Sequence, residues 1–215
     1  MHKSINTRPS RYPSRGTEEK ETLYQIIDEG LFCTVAFVRE QVPFQIPTGF
    51  CRVNDELFIH ASAKSTFIND IIGQQVSYSI THMDALVLAP TAFDHSFNYR
   101  SVIGFSVAEE VEGMENKRKF FNLFTDRYVP GRIADVGEPT DDQVSITKII
   151  RLSLKNAAAK VRVGDVNVKM GTEAAWCGVI PVHTAYGTPE KDHQLPSTLE
   201  LPAYIKALTD GSGKD

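Results

Sequence analysis

Apolar and polar positions alternate along most of the chain, and this pattern predicts a protein built mainly from β-strands. Short turns such as Asn54-Asp55 separate successive strands and favour antiparallel pairing. Because open sheet edges invite aggregation, we expect the sheet to close into a barrel or to fold into a sandwich. The predicted strands span residues 31–38, 41–53, 57–60, 76–81, 85–88, 99–111, 144–154 and 176–185.

Helical spacing replaces this alternation in a few places. Helices are predicted over residues 17–30, 62–72, 120–129 and 204–208. Gly30 and Gly73 end the first two, as glycine commonly does at the end of a helix. Thr140 and Gln143 have the spacing of a capping box, but the alternation that follows them favours a strand.

The two ends of the chain lack any hydrophobic period. Residues 1–16 are rich in Arg, Ser and Pro and are predicted to form an N-terminal arm. Residues 17–186 carry the alternating pattern and are predicted to form one domain. Three prolines interrupt residues 187–215, which are therefore predicted to form a C-terminal tail.

Composition narrows the range of function classes. The chain has 215 residues, 41% hydrophobic and 23% charged, which is ordinary for a globular protein. A net charge of -4 argues against nucleic-acid binding through bulk basicity. No apolar run approaches the roughly 20 residues of a membrane span, and the first residues show no secretory signal. Three well-separated cysteines favour reduced thiols, so we expect a cytoplasmic protein without nucleic-acid or membrane partners.

The most informative segment is His60-Ala61-Ser62-Ala63-Lys64-Ser65, which joins a predicted strand to a predicted helix. The first turn of a helix presents unpaired N–H groups and favours an anion. Lys64 opposes the helix dipole there unless a phosphate lies beside it, with Ser62 and Ser65 as hydroxyl donors. The alternative is a plain serine cap with an exposed lysine. For His60, a surface or hydrogen-bonded position competes with a role beside a phosphate.

A second polar segment, Asp94 to Ser101, contains Asp, His and Ser but no nucleophile elbow, so a catalytic triad is excluded. Its informative residues are Tyr99 and Arg100, which enter a predicted strand. Burying Arg100 among apolar neighbours requires an anionic or hydrogen-bonding partner, and that partner is either a ligand or an acidic side chain of the protein.

Two weaker signals lie further along the chain. If the chain is extended there, Lys160 and Arg162 lie on one face of it and serve either a phosphate or water. Trp176, the only tryptophan, is either a core residue or a ligand contact. The histidines and cysteines show no metal-ligand spacing, so no metal site is predicted.

Six motifs occur in an order that resembles a known superfamily. They are Gly30-Leu31-Phe32-Cys33-Thr34-Val35-Ala36-Phe37, Pro43-Phe44-Gln45-Ile46-Pro47-Thr48, Leu57-Phe58-Ile59-His60-Ala61-Ser62-Ala63-Lys64-Ser65, Ser96-Phe97-Asn98-Tyr99-Arg100-Ser101-Val102, Ala159-Lys160-Val161-Arg162 and Trp176-Cys177-Gly178-Val179-Ile180-Pro181. Together they resemble the FMN-binding split-barrel superfamily that includes pyridoxamine 5′-phosphate oxidase. Within it, the chain is similar to flavin-nucleotide-binding proteins related to nitroimidazole-resistance reductases.

The resemblance implies a fold, a cofactor and an assembly. The fold would be a six-stranded antiparallel Greek-key split β-barrel with peripheral helices, and the assembly a homodimer with FMN in two interface clefts. Two departures exclude a true pyridoxamine 5′-phosphate oxidase: Ala158 replaces a common serine, and the family's C-terminal Trp…Arg-Leu-x-Pro ending is absent. The implied FMN-binding residues are Ile46, Pro47, Thr48, His60, Ala61, Ser62, Lys64, Ser65, Tyr99, Arg100 and Trp176, with Tyr99, Arg100 and Trp176 lining the site, some of them from the second subunit.

Three functional hypotheses follow. The first is an FMN-dependent oxidoreductase acting on a small molecule, in which the flavin carries the electrons and no catalytic side chain is identified. The second is a binding or storage protein for flavin, haem or a deazaflavin, with His60 or His95 as the axial ligand if the group is haem. The third is an oligomeric β-barrel without a cofactor.

Overall fold

The structure is a computed structural model that describes residue 7, residues 12–166 and residues 175–210. Its strands are β1 (Gly16–Thr17), β2 (Cys33–Arg39), β3 (Val42–Thr48), β4 (Phe50–Val53), β5 (Glu56–Ser62), β6 (Gln75–Leu88), β7 (Ser96–Val107), β8 (Glu109–Glu110), β9 (Thr147–Ser153), β10 (Ala157–Arg162) and β11 (Gly178–Pro181). Its α-helices are α1 (Lys20–Glu29), α2 (Thr66–Ile71), α3 (Met114–Tyr128), α4 (Arg132–Val136), α5 (Asp141–Ser145) and α6 (Ala203–Thr209). None of these helices is both long and apolar enough to cross a membrane.

The strands form two antiparallel sheets. The larger, seven-stranded sheet has the order β1-β10-β7-β6-β2-β3, and β11 pairs with the far end of β6. The smaller sheet has the order β4-β5-β9-β8. The protein is therefore mainly β with a few helices, as the alternating pattern predicts.

The chain passes from the larger sheet to the smaller one at Gly49, between β3 and β4. A Cβ atom at this position would lie 3.0 Å from the Phe124 ring of α3, so the helix packs closely against the bare backbone. The single strand predicted over residues 41–53 is wrong here, because the backbone turns at this glycine and pairs with a different sheet on either side of it.

The main core lies where the two sheets face each other and is closed by α1 and α2. It is formed by fully buried side chains from both sheets and from the apolar face of α1, including Ile26, Ile27, Phe50, Ile59, Tyr78, Ile80, Ile150 and Leu152. A second, smaller cluster lies on the other face of the smaller sheet, under α3. Burial raises the pKa of the Cys33 and Cys51 thiols to about 12, so both remain protonated and unreactive at neutral pH.

The six-stranded Greek-key barrel is not confirmed, because the described strands do not close into one sheet. Two features change the number of strands. A bulge at Asp84 lets β6 run as one strand where two separate strands were predicted, whereas the short strands β1, β8 and β11 add strands at sheet edges. The coarser expectation, a mainly β fold of antiparallel sheets, is confirmed.

The structure confirms some of the predictions made for single turns and chain ends and contradicts others. Thr140 and Gln143 do form a capping box, and it starts the short helix α5 before the chain extends into β9; the strand predicted from Val144 onwards is therefore wrong at its start. Helix α6 confirms the prediction for residues 204–208. Most of the predicted arm, residues 1–6 and 8–11, lies outside the described residues.

Candidate functional site

Two groups of predicted site residues meet at one end of the smaller sheet. Ile46, Pro47 and Thr48 are the last residues of β3. Phe50, two residues beyond Thr48, pairs with Ile59 of β5, so the end of β3 lies beside the end of β5. The turn that leaves β5 carries the remaining residues of this group. We call the two segments, 46–48 and 60–65, the junction site.

The turn after β5 is held in one shape by its own hydrogen bonds. The Lys64 N–H donates to Ser62 Oγ at 3.3 Å, and the Ser65 N–H donates to the Ser62 carbonyl at 2.8 Å. The Asn69 amide of α2 donates to the carbonyls of Ala63 and Ser65 at 3.0 and 2.9 Å. These bonds fix the backbone, and the side chains of Ser62 and Lys64 stay exposed.

Lys64 lies before helix α2, which begins at Thr66 with Ser65 as its N-cap. The expected conflict between this cation and the first helical turn is therefore weaker than the sequence suggested. Within the described part of the chain, Lys64 has no ion-pair partner. It is a cation on an ordered turn, beside the hydroxyl groups of Ser62 and Ser65.

His60 lies in a different environment from the turn that follows it. Its ring faces α3, with its centroid 4.5 Å from that of Phe124, 5.4 Å from Phe120 and 6.1 Å from Phe121. Its Nδ1 atom is buried and has no hydrogen-bond partner among the described residues. The alternation along β5 turns the next residue, Ala61, towards the main core.

Burial lowers the pKa of His60, because removing water disfavours the charged imidazolium. The imidazole is therefore neutral at neutral pH. One of its two ring nitrogens carries a free lone pair in an apolar environment. A buried polar atom without a partner requires an explanation, and a bound group is one such explanation. The Phe-rich sequence of α3 was visible beforehand, but only the fold shows that these rings surround His60.

Tyr99 and Arg100 lie on opposite faces of β7, because neighbouring residues of a strand point to opposite sides. Tyr99 pairs across the sheet with Met83 and with Arg162, and the Lys160 ammonium lies 5.8 Å from the centre of its ring. This face of the sheet is turned away from α1. Arg100 points towards α1.

Two carboxylates of the protein bind the Arg100 guanidinium. Asp84 accepts hydrogen bonds from Nε at 3.0 Å and from Nη2 at 2.8 Å, and Glu29 at the end of α1 accepts one from Nη1. The paired Asp84 carboxylate, followed by Glu29, raises the pKa of Arg100 further above its ordinary value. Arg100 therefore finds its anionic partners within the protein, in the carboxylates of Asp84 and Glu29, and not in a ligand.

Trp176 precedes β11 and lies over Gly178, where a Cβ atom would be only 2.6 Å from the indole ring. Its side chain is 68% exposed, so it is not a core residue of the single chain. Gly178 pairs with Leu88 at the far end of β6.

The predicted residues thus form two separate groups. A row of paired residues runs from Pro47 through Thr34 and Ser79 to Ile103, crossing three strand spacings of about 4.8 Å each. Tyr99 lies four residues further along β7. The distance is therefore about 14 Å across the sheet and about 13 Å along it. A single chain does not bring the junction site together with Tyr99, Arg100 and Trp176.

Solved structures similar to this chain include two that cover nearly all of it. The FAD and haem binding protein from Mycobacterium smegmatis is 30% identical, with a TM-score of 0.86 over 91% of this chain and 97% of that one. The flavocytochrome Anf3 from Azotobacter vinelandii is 26% identical, with a TM-score of 0.88 over 94% of this chain and 95% of that one.

A third structure shares the fold at greater distance. A Bacteroides thetaiotaomicron protein assigned to 5-nitroimidazole antibiotic resistance is 20% identical, with a TM-score of 0.57 over 68% of this chain and 86% of that one. No curated protein sequence matches the chain.

The family comparison covers the smaller sheet, the larger sheet except β1 and β11, and the helices between them. Residues 19–161, from the start of α1 to the end of β10, match the pyridoxamine 5′-phosphate oxidase family. This region contains the junction site and both faces of β7. By this match over most of its length, the chain belongs to the pyridoxamine 5′-phosphate oxidase family.

Proposed function

We propose that the protein binds a flavin nucleotide at the junction site and uses it in the oxidation or reduction of a small molecule. The observation that carries the proposal is the ordered turn at residues 62–65, where an unpaired lysine and two hydroxyl groups lie beside the end of β3. A flavin phosphate would accept charge-assisted hydrogen bonds from Lys64 and from the Ser62 and Ser65 hydroxyls. Similarity to a protein described as FAD- and haem-binding supports the same ligand class.

Residues of β3 would then lie along the ring and ribityl chain. Ile46 is half-buried and Pro47 exposed, so both can cover an apolar ring, and the Thr48 hydroxyl can reach a polar group. The sequence resemblance implied FMN, whereas the similar structure from Mycobacterium smegmatis is of a protein described as binding FAD and haem. Both cofactors carry a phosphate next to the ribityl chain, so the junction site fits either one.

The assembly that we propose is a homodimer with the flavin between subunits. Tyr99 and Trp176 are too far from the junction site of their own chain to contact the same ring. Both have exposed surface, and a second copy could bring them to the flavin. Arg100 would act indirectly, since its guanidinium is occupied by Asp84 and Glu29 and holds β7 against α1.

The flavin itself would supply the electron transfer. The described residues of the junction site include no carboxylic acid, and the one histidine, His60, faces the phenylalanine cluster instead of the turn. The contribution of the protein is therefore to bind the phosphate, to orient the ring and to exclude water from one side of it.

Titration with FMN and FAD tests this proposal. The flavin-free protein should bind at least one of them, and Lys64→Ala should weaken that binding by about 1.5–3 kcal/mol, the usual value of a charge-assisted hydrogen bond. Lys155→Ala removes an exposed lysine from the turn between β9 and β10 and serves as the matched control. Equal affinities of the two variants would contradict the phosphate position. Bleaching of the bound flavin by reduced nicotinamide would support turnover.

A second candidate function is haem binding, and the buried, unpartnered Nδ1 of His60 favours it. A neutral imidazole among three phenylalanine rings has the chemistry of an axial haem ligand, and both similar structures that span the chain are of proteins described as haem-binding or as a flavocytochrome. Haem would supply one-electron and oxygen chemistry. After haem reconstitution and removal of unbound haem, His60→Leu should have lost the protein-bound Soret band. His95→Leu should retain the protein-bound Soret band, because His95 Nδ1 already accepts a hydrogen bond from the Ala89 N–H at 3.2 Å.

A further inference from the structure

Residues 182–202, which we call the strap, connect β11 to α6 without a helix or a strand of their own. Both ends of the strap are fixed. The Val182 N–H donates to the Asp84 carbonyl at 2.9 Å, and Tyr204 in α6 accepts a hydrogen bond from Arg132 of α4 at 2.8 Å. Between these points almost every residue is exposed.

The middle of the strap is folded around one ammonium group. Lys191 Nζ donates to the carbonyls of Pro196, Ser197 and Leu199, at 3.1 Å for Ser197 and 2.8 Å for Leu199. This arrangement closes residues 191–199 into a loop and leaves Leu195 and Leu199 46% and 55% exposed. We call this loop the leucine knob. A preorganised loop that exposes two leucines has the properties of a docking element, because little ordering entropy remains to be lost on binding.

A second uncovered apolar surface lies where the strap begins. Phe97 of β7, Leu86 of β6 and Ile180 of β11 are direct cross-strand neighbours and therefore share one face. Met83 and Trp176 extend this surface, which we call the aromatic platform. Its large side chains are 41–68% exposed: Met83 47%, Phe97 53%, Trp176 68% and Ile180 41%. A contiguous apolar surface of this kind marks an interaction site.

We propose that the leucine knob of one copy packs on the aromatic platform of a second copy of this chain. Both the leucine knob and the aromatic platform are exposed in the single chain, so neither surface covers the other within one copy. In a two-fold dimer the knob-to-platform contact forms twice, which covers both surfaces. The inference rests on the dimer proposed above.

The size of the strap agrees with this partner. A standard protein interface takes about 20–30 residues from each side. The strap, residues 182–202, supplies one such set as a single continuous segment, and the platform supplies the surface that receives it. Reciprocal exchange of two straps would therefore be large enough to hold a stable dimer.

Trp176 is the only tryptophan in the chain, so its fluorescence reports on the platform directly. In the full-length dimer the proposal predicts emission at short wavelength and weak quenching by acrylamide, despite the exposure of the indole in a single chain. The double variant Leu195→Asp/Leu199→Asp should shift the emission to longer wavelength, increase the quenching constant severalfold and weaken the dimer. Leu123→Asp, a change at a leucine of α3 that is 51% exposed, is the control and should change none of these.

The measurement is made on flavin-loaded and flavin-free protein, with the mass of the assembly and the flavin content determined on the same samples. Shielding of Trp176 that is present in both forms and lost in the strap variant supports the inference. Trp176 that is accessible in the full-length protein, or shielded equally in the strap variant, overturns it. Shielding found only with bound flavin also overturns it and leaves the proposed flavin site intact. A monomeric chain overturns the inference together with the dimer, whereas absence of flavin binding contradicts the proposed function alone.

Discussion

The junction site and the Arg100 region each contain a cationic side chain, but only the one on β7 is ion-paired. At the junction site, Lys64 is exposed on an ordered turn and has no ion-pair partner within the described residues. On β7, Arg100 is partly buried and bound by Asp84 and Glu29. From sequence, both cations are candidate cofactor-binding residues. The comparison shows that the useful criterion for a ligand-binding group is whether the protein already satisfies it.

The two regions should therefore respond differently to loss of their cations. Removing a satisfied cation leaves carboxylates unpaired and affects folding. Removing an unsatisfied one leaves the fold unchanged and affects only the ligand. Three predictions test this difference, from the largest effect to the smallest.

Arg100→Met should lower the free energy of unfolding by about 2–3 kcal/mol. Breaking a fully buried ion pair costs about 3–5 kcal/mol, and the side chains here are 25–33% exposed, which reduces the cost. Chemical denaturation of the flavin-free protein measures it. Arg151→Met is the matched control, since Arg151 also pairs with two carboxylates, those of Glu56 and Glu109, but is 44% exposed, and its loss should cost less than about 1 kcal/mol. Equal losses in the two variants would show that the Arg100 cluster has no special structural role.

Ser62→Ala should weaken flavin binding by about 1 kcal/mol, the typical net value of one hydrogen bond. The same hydroxyl accepts the Lys64 N–H, so the variant also loosens the turn that positions the lysine. Isothermal titration with the flavin measures the affinity. Stability should stay within about 0.5 kcal/mol of the parent, as for most surface substitutions. A loss of stability without a loss of flavin affinity would show that Ser62 supports the fold and does not bind the flavin.

The smallest effect concerns pH and His60. Its pKa is lowered by burial in the folded state, so the unfolded chain takes up the proton first as the pH falls below about 6.5. The stability contributed by the neutral imidazole is thus complete above that pH and is lost on acidification. The haem-free His60→Leu variant should lose less stability between pH 7 and pH 5 than the parent does. Identical pH profiles would show that the imidazole is hydrated in solution.

The sequence alone determined the strand-rich character of the protein and several local features. Alternation placed most of the strands, and Gly30 ended α1. The capping-box spacing of Thr140 and Gln143 was visible too, but the alternation after it favoured a strand where the structure has helix α5. These features depend on residues close together in the chain, where propensity and hydrogen bonding act locally. The ordered motifs also identified the family correctly.

Only the tertiary structure decided which of the candidate residues are free to bind a ligand. Glu29 lies 71 residues from Arg100 in the chain, and Phe124 reaches His60 only because α3 packs on the smaller sheet. No local pattern records such contacts, since they depend on how distant elements pack. The same packing turned the chain at Gly49, separated the junction site from Tyr99 and Trp176, and left the strap uncovered. The sequence was enough to predict candidate binding residues, whereas only the packing shows which of them already have partners within the protein.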